Sequence, residues 1–182
     1  MSTSTARYNQ IADRELLVEF RDALNDQVTT LERQVANLRR DPGDRESVAT
    51  LFRALHTIKG AASICRFELG VRITHPIESL LVRLREGKLV FSALLAEAIL
   101  LALDRLELAV DALLAGRSID SLRLAALIDG LDGLSTTENA GLDASSIDLI
   151  EAVTGFRPAG AAAKLTPKAT ARRQDNADDL RF

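Results

Sequence analysis

Apolar residues recur along this chain at the three- and four-residue spacing of a helix face, and short polar, glycine or proline stretches separate the runs. That pattern predicts helices throughout. Leu17, Phe20, Leu24, Val28, Leu31, Val35 and Leu38 mark the first, from Asp13 to Arg40. Asp41-Pro42-Gly43-Asp44 stops it, since proline cannot continue the hydrogen-bond ladder, and Asp44 is suited to cap a second helix. In that second helix Leu51, Leu55, Ile58 and Ala62 form the core stripe. A third helix is expected from about Glu68 to Gly87, a glycine suited to the left-handed conformation just past a helix end. Pro76 removes one backbone hydrogen bond inside it, so a kink is expected there. Ser92 caps a fourth helix, Ala93 to Ala115, with Leu94, Ile99, Leu103, Leu106 and Val110 on a broad apolar face. Leu122, Ala125, Ile128, Leu131 and Leu134 mark a shorter fifth.

The two ends lack this repeat. Residues 1–12 are polar and rich in Ser and Thr, which predicts a flexible N-terminal arm. After Ser135 the pattern dissolves, so 135–182 is expected to be linker or tail, with at most one short helix near 145–153. Deleting everything after about Leu134 is expected to leave the rest folded. The predicted fold is all-α, an up-and-down antiparallel four-helix bundle over residues 13–134 with an additional C-terminal helix.

Composition narrows the function classes. At 182 residues and 47% hydrophobic content, with 4% aromatics and no tryptophan, the chain suits one helical domain with extensions. A net charge of -3 gives no basic footprint for nucleic acid. No apolar run is long enough for a bilayer and the N-terminus has no signal-like apolar segment, so no membrane partner and a cytoplasmic location are expected. Cys65 is the single cysteine, which excludes an internal disulfide and reads as a small core or loop hydrophobe.

The chemistry concentrates on the wet face of the second helix. Phe52, His56, Lys59, Gly60 and Ser63 lie opposite its core stripe, and a glycine inside a helix, about 1 kcal/mol worse than alanine, suggests close approach by a partner protein. If helices two and three form an antiparallel hairpin turning near Phe67, equal heights place Glu78 opposite His56 and His75 opposite Lys59, about 12 to 17 Å from the turn. Four polar side chains then share one patch.

His56-x-x-Lys59-Gly60 on one amphipathic helix, followed by His75-x-x-Glu78 on the next, resembles the histidine phosphotransfer (HPt) domain, in particular the N-terminal one of CheA-type chemotaxis kinases. The resemblance covers roughly residues 13 to 134, and the flanking Leu51-Phe52-Arg53-Ala54 and Leu80-Leu81-Val82-Arg83-Leu84-Arg85-Glu86-Gly87 are similar to the family's own. It implies His56 as the phosphorylated residue, Glu78 as its hydrogen-bond partner, and Lys59 and His75 as neighbours of the phosphoryl group. It also implies two partners, a histidine kinase catalytic domain, in cis or in trans, and a response-regulator receiver domain. Two positions depart from the family: Arg66 stands where a loop glycine is usual, and Pro76 splits the His-x-x-Glu pair.

The residue types suit that role. A neutral imidazole attacks with one nitrogen while the other is held, and Glu78 could accept the Nδ1 proton and leave the Nε2 lone pair free. Lys59 could pair with phosphoryl oxygens. No Walker-type Gly-x-x-x-x-Gly-Lys occurs, so a phosphocarrier without a bound cofactor is expected rather than a kinase. Phe52, Gly60 and Ser63 are expected to face the partner, Phe52 as an exposed apolar anchor. The alternatives are a non-catalytic helical adaptor and a metal site built from His56, His75 and Glu78, against which the neighbouring Lys59 counts. Met1 fits a true N-terminus, while the tail fits either an end or a linker to further domains.

Overall fold

The computed structural model describes residues 14–158, which form six α-helices with no strand among them. The helices are α1 (Arg14–Arg40), α2 (Arg45–Ile64), α3 (Glu68–Arg85), α4 (Ala93–Leu114), α5 (Leu124–Thr136) and α6 (Leu142–Thr154), with one-turn 3₁₀ segments before α5 and α6. The arm expected at 1–12 and the chain after Pro158 lie outside the described residues.

Helix starts follow the predicted chemistry. The Asp44 side chain accepts hydrogen bonds from the backbone N–H groups of Glu46 and Ser47, and Ser92 Oγ accepts from that of Leu95 at 3.0 Å. Helix ends share one motif. At the close of α3 and α4, Gly87 (φ 72°) and Gly116 (φ 66°) adopt the left-handed conformation, and the next residue's N–H returns to the carbonyl of Arg83 or Ala112. Helix α2 ends in the same way, except that Arg66 occupies the left-handed position (φ 55°) while the Phe67 N–H bonds the Ala62 carbonyl at 2.8 Å. The departure from the usual loop glycine therefore keeps the glycine backbone, at a cost of about 1 kcal/mol. Helix α3 runs unbroken through the buried Pro76.

Packing makes an extended bundle. Helix α2 lies between α1 and α3, α1 also packs on α4, and the contact between α3 and α4 is slight because α5 lies against α3 and α6 against α4. One apolar cluster runs through all six helices, from Leu17 and Phe20 on α1 to Leu149, Ile150 and Val153 on α6. The α2–α3 hairpin closes tightly at its turn. A Cβ on Gly70 would stand 2.9 Å from Ala62 Cβ and 3.2 Å from the Phe20 ring, so the glycine is what lets the two backbones approach. The Phe20 and Phe67 rings meet beneath the turn, 5.0 Å apart. Cys65 is buried there, and burial pushes its thiol pKa up, with the charge of Glu19 adding to the effect.

The boundary expected at Leu134 falls in the last turn of α5, ahead of α6, and those two helices pack on one another. Leu142, Leu149, Ile150 and Val153 of α6 are buried in the common core, and Gly130 of α5 admits Leu149, whose Cγ would be 2.9 Å from an added Cβ. Each large apolar side chain buried contributes roughly 1.5–3 kcal/mol. Deleting residues 135–182 is therefore expected to lower the melting temperature by roughly 10 °C or more, at about 2–4 °C per kcal/mol for a chain of this size. Calorimetry of the truncated and full chains checks this, and equal melting points would mean that α6 adds nothing to the core.

Candidate functional site

His56 projects from the middle of α2 with its side chain 64% exposed, on the face opposite Leu55 and Ile58, which are wholly buried. Across the hairpin, Glu78 sits on α3 with its side chain 9% exposed. His56 Nδ1 lies 2.6 Å from Glu78 Oε1, and Lys59 Nζ donates to Glu78 Oε2. The carboxylate thus has one partner on each oxygen.

This arrangement fixes the histidine tautomer. A carboxylate only accepts, so the shared proton belongs to Nδ1, and the Nε2 lone pair is left on the solvent side. The tautomer requires Glu78 to be ionised. Burial, the largest single influence, pushes its pKa up, but the hydrogen bonds from Lys59 and His56, followed by their charges, outweigh it and hold the carboxyl below its ordinary 4.5. Glu78 is therefore charged at neutral pH.

The predicted pairing of His56 with Glu78 matches the structure. Lys59, expected opposite His75, instead reaches one turn along α3 to Glu78, because a half-buried ammonium gains most from the one desolvated carboxylate within its four-carbon reach. His75 is exposed and its ring has no hydrogen-bond partner among the described residues; its backbone carbonyl accepts from Ser79 Oγ at 3.1 Å. Ser63 is exposed, its Oγ donating to the Lys59 carbonyl at 3.0 Å. Gly60 faces open space, with nothing within 4 Å of the place a Cβ would take. Phe52 is half-buried rather than the exposed anchor expected, and its ring stacks on His56 with centroids 6.0 Å apart and an interplanar angle of 16°. Among the described residues no cluster of three His, Cys, Asp or Glu side chains could hold a metal ion, and Lys59 already occupies the carboxylate that such a site would need.

Two residues of this face were missed in the sequence. Arg85 carries its guanidinium carbon 5.2 Å from the Phe52 ring centroid, in the same cross-helix register as Lys59 and Glu78, so the register rule could have found it. Ile64 is 78% exposed at the end of α2, one turn beyond Gly60.

Comparison with known proteins identifies the family and the fold. Residues 15–116 match the family model of the Hpt domain. The chain is 33% identical over 129 residues to the chemotaxis protein CheA of Halobacterium salinarum, covering 65% of this chain and 19% of that one. It is 32% identical over 97 residues to CheA of Treponema pallidum, covering 53% and 12%. The solution structure of the histidine phosphotransfer domain of CheA superposes with a TM-score of 0.57 and 25% identity, covering 68% of this chain and 93% of that domain. The chain thus spans less than a fifth of the length of these curated relatives. No helix among the described residues is long and apolar enough to cross a membrane. The family model spans more than half of the chain and the helical bundle matches the solved domain, so the chain belongs to the Hpt, or histidine phosphotransfer, domain family.

Proposed function

We propose that His56 is the residue that carries the phosphoryl group, receiving it from the ATP-binding domain of a histidine kinase, in cis or in trans, and passing it to an aspartate of a receiver domain in a chemotaxis-type signalling system. The observation that carries this is the 2.6 Å contact between Nδ1 and Glu78 on an imidazole whose side chain is 64% exposed. Nε2 attacks the γ-phosphorus of ATP, the P–Nε2 bond forms, and the bond to the bridging oxygen breaks as ADP leaves. The ring then bears positive charge, which the Nδ1 proton shares with Glu78. In the second transfer the receiver carboxylate attacks phosphorus, the P–Nε2 bond breaks, and the lone pair returns to the ring.

Lys59 has three donors and spends one on Glu78, so two can meet phosphoryl oxygens. His75 stands one turn from Glu78 as an exposed neighbour of the group. Gly60, Ser63 and Ile64 form the partner-facing strip beside His56. Incubating the full chain with a CheA-type kinase domain and radiolabelled ATP tests the assignment: the label should be acid-labile, base-stable and confined to His56, and its absence would leave the chain a helical adaptor.

In-line transfer needs the two proteins close together, and a side chain beside His56 would hold them apart. Gly60→Gln is therefore expected to lower the rate of transfer to a receiver by tenfold or so at roughly 1.4 kcal/mol of lost docking, while helicity stays equal or rises because a glycine leaves the helix interior. Rapid-mixing transfer assays alongside thermal melts check this. A variant that melts lower and transfers normally would assign Gly60 to packing instead.

A further inference from the structure

We propose that Arg85 and Phe52 act together as positioning residues for His56, a guanidinium on α3 holding the Phe52 ring as a side wall against the imidazole. The inference rests on the assignment of His56 above and concerns how its ring is kept in attacking orientation. One hydrogen bond to Glu78 fixes a single edge of the imidazole and leaves the ring free to swing about that edge. The Phe52 ring, nearly parallel at 16° and 6.0 Å from it, limits that swing. Phe52 in turn comes from the preceding turn of α2, and Arg85 reaches it across the hairpin.

Arg85 could have made other contacts. It is exposed and Glu86 is adjacent in sequence, but the contact of Glu86 is with Lys88 at 2.7 Å, which holds that carboxyl low with help from the Arg85 charge. Among the described residues the Arg85 guanidinium makes no hydrogen bond or ion pair, and it lies instead over the face of Phe52 at 5.2 Å. Arg85, Phe52 and His56 therefore form a column that crosses from α3 to α2, as the Glu78 contacts do on the other side. The imidazole is held at an edge by a carboxylate and at a face by a ring.

The test uses the full chain and phosphoramidate, a small donor with no docking surface, whose own P–N bond breaks to release ammonia as the P–Nε2 bond forms. Arg85→Gln is expected to slow uptake at saturating donor about two- to fivefold, the range of an exposed cation–π contact, with the half-saturating concentration unchanged. Arg85→Lys should recover most of the rate, and Phe52→Leu should lose at least as much as Arg85→Gln. Nitrogen-15 spectra of the imidazoles should show the His56 signals moving towards averaged tautomers in Arg85→Gln and Phe52→Leu. The chain has two histidines, so His75 serves as the unmoved reference. Unchanged His56 spectra and rates in Arg85→Gln would overturn the proposal. So would a loss seen with a protein donor and not with phosphoramidate, which would make the pair a docking contact. If wild-type His56 takes no phosphate at all, the assignment of His56 fails, and the ring spectra alone decide whether the column orders the imidazole.

Discussion

His56→Gln is expected to abolish acid-labile phosphate uptake while leaving helicity and the melting point within a degree or two of the wild type. The side chain is 64% exposed, so its replacement opens no cavity, and the glutamine amide keeps a donor for the Glu78 carboxylate that the imidazole now serves. What disappears is the Nε2 lone pair. The other histidine, His75, has no carboxylate on its ring among the described residues and cannot take over by geometry. Labelling followed by mild acid and mild base separates the outcomes. Full labelling of the variant, or label that resists acid and is lost in base, would place the phosphate on another residue.

Glu78→Ala should leave His56 able to react but slow it by about 10² to 10⁴-fold, the usual contribution of a positioned proton-accepting group. Without the carboxylate the ring samples both tautomers, and the charge that develops on phosphorylation is uncompensated. The same residue predicts a pH signature in stability. Its folded pKa lies below the ordinary 4.5, so the stabilisation it supplies is complete above that value and is lost as pH falls through the depressed folded value. The difference in melting temperature between wild type and Glu78→Gln should therefore be largest near neutrality and shrink in acid. Quench-flow labelling and melts from acid to neutral pH measure both effects. Wild-type kinetics in Glu78→Ala would mean that the hydrogen bond to Nδ1 does not orient the nucleophile.

Much of this architecture was legible because local chemistry decides it. Asp44 and Ser92 cap the helices they precede, and Gly87 takes the left-handed position, since each choice depends on a few neighbouring backbone groups. The pairing of His56 with Glu78 was legible for a related reason: a three-residue turn leaves a helical hairpin little freedom of register. What the pattern did not reveal depends on tertiary competition. Lys59 pairs with Glu78 rather than with His75 at its own height, since an ammonium gains more from a buried carboxylate than from an imidazole. Gly70 and Gly130 each admit side chains of a neighbouring helix, a contact that no one-helix period describes. Helix α6 contains the short helix expected near 145–153 and starts a turn earlier; what the pattern did not show is that it belongs to the core, with Ser146 fully buried because its Oγ donates to the Leu142 carbonyl at 2.8 Å and needs no solvent. Arg66 shows the converse. A side chain of the wrong type sits in a glycine conformation because the surrounding hairpin over-determines the backbone.

The exposure of His56 sets the kind of storage this domain offers. On the assignment proposed above, a phosphoryl group on Nε2 would stand at the exposed face of α2, outside the low-dielectric interior, with the buried Glu78 behind the ring rather than around the phosphate. No described residue would wall the group off from water or from a passing acceptor. Its lifetime is then the intrinsic persistence of a phosphorus–nitrogen bond, and discrimination among acceptors passes to whatever surface the acceptor brings. On that reading the domain would work as an open relay, loaded by one visitor and unloaded by the next, with the molecule between them a post that keeps one nitrogen pointed outward.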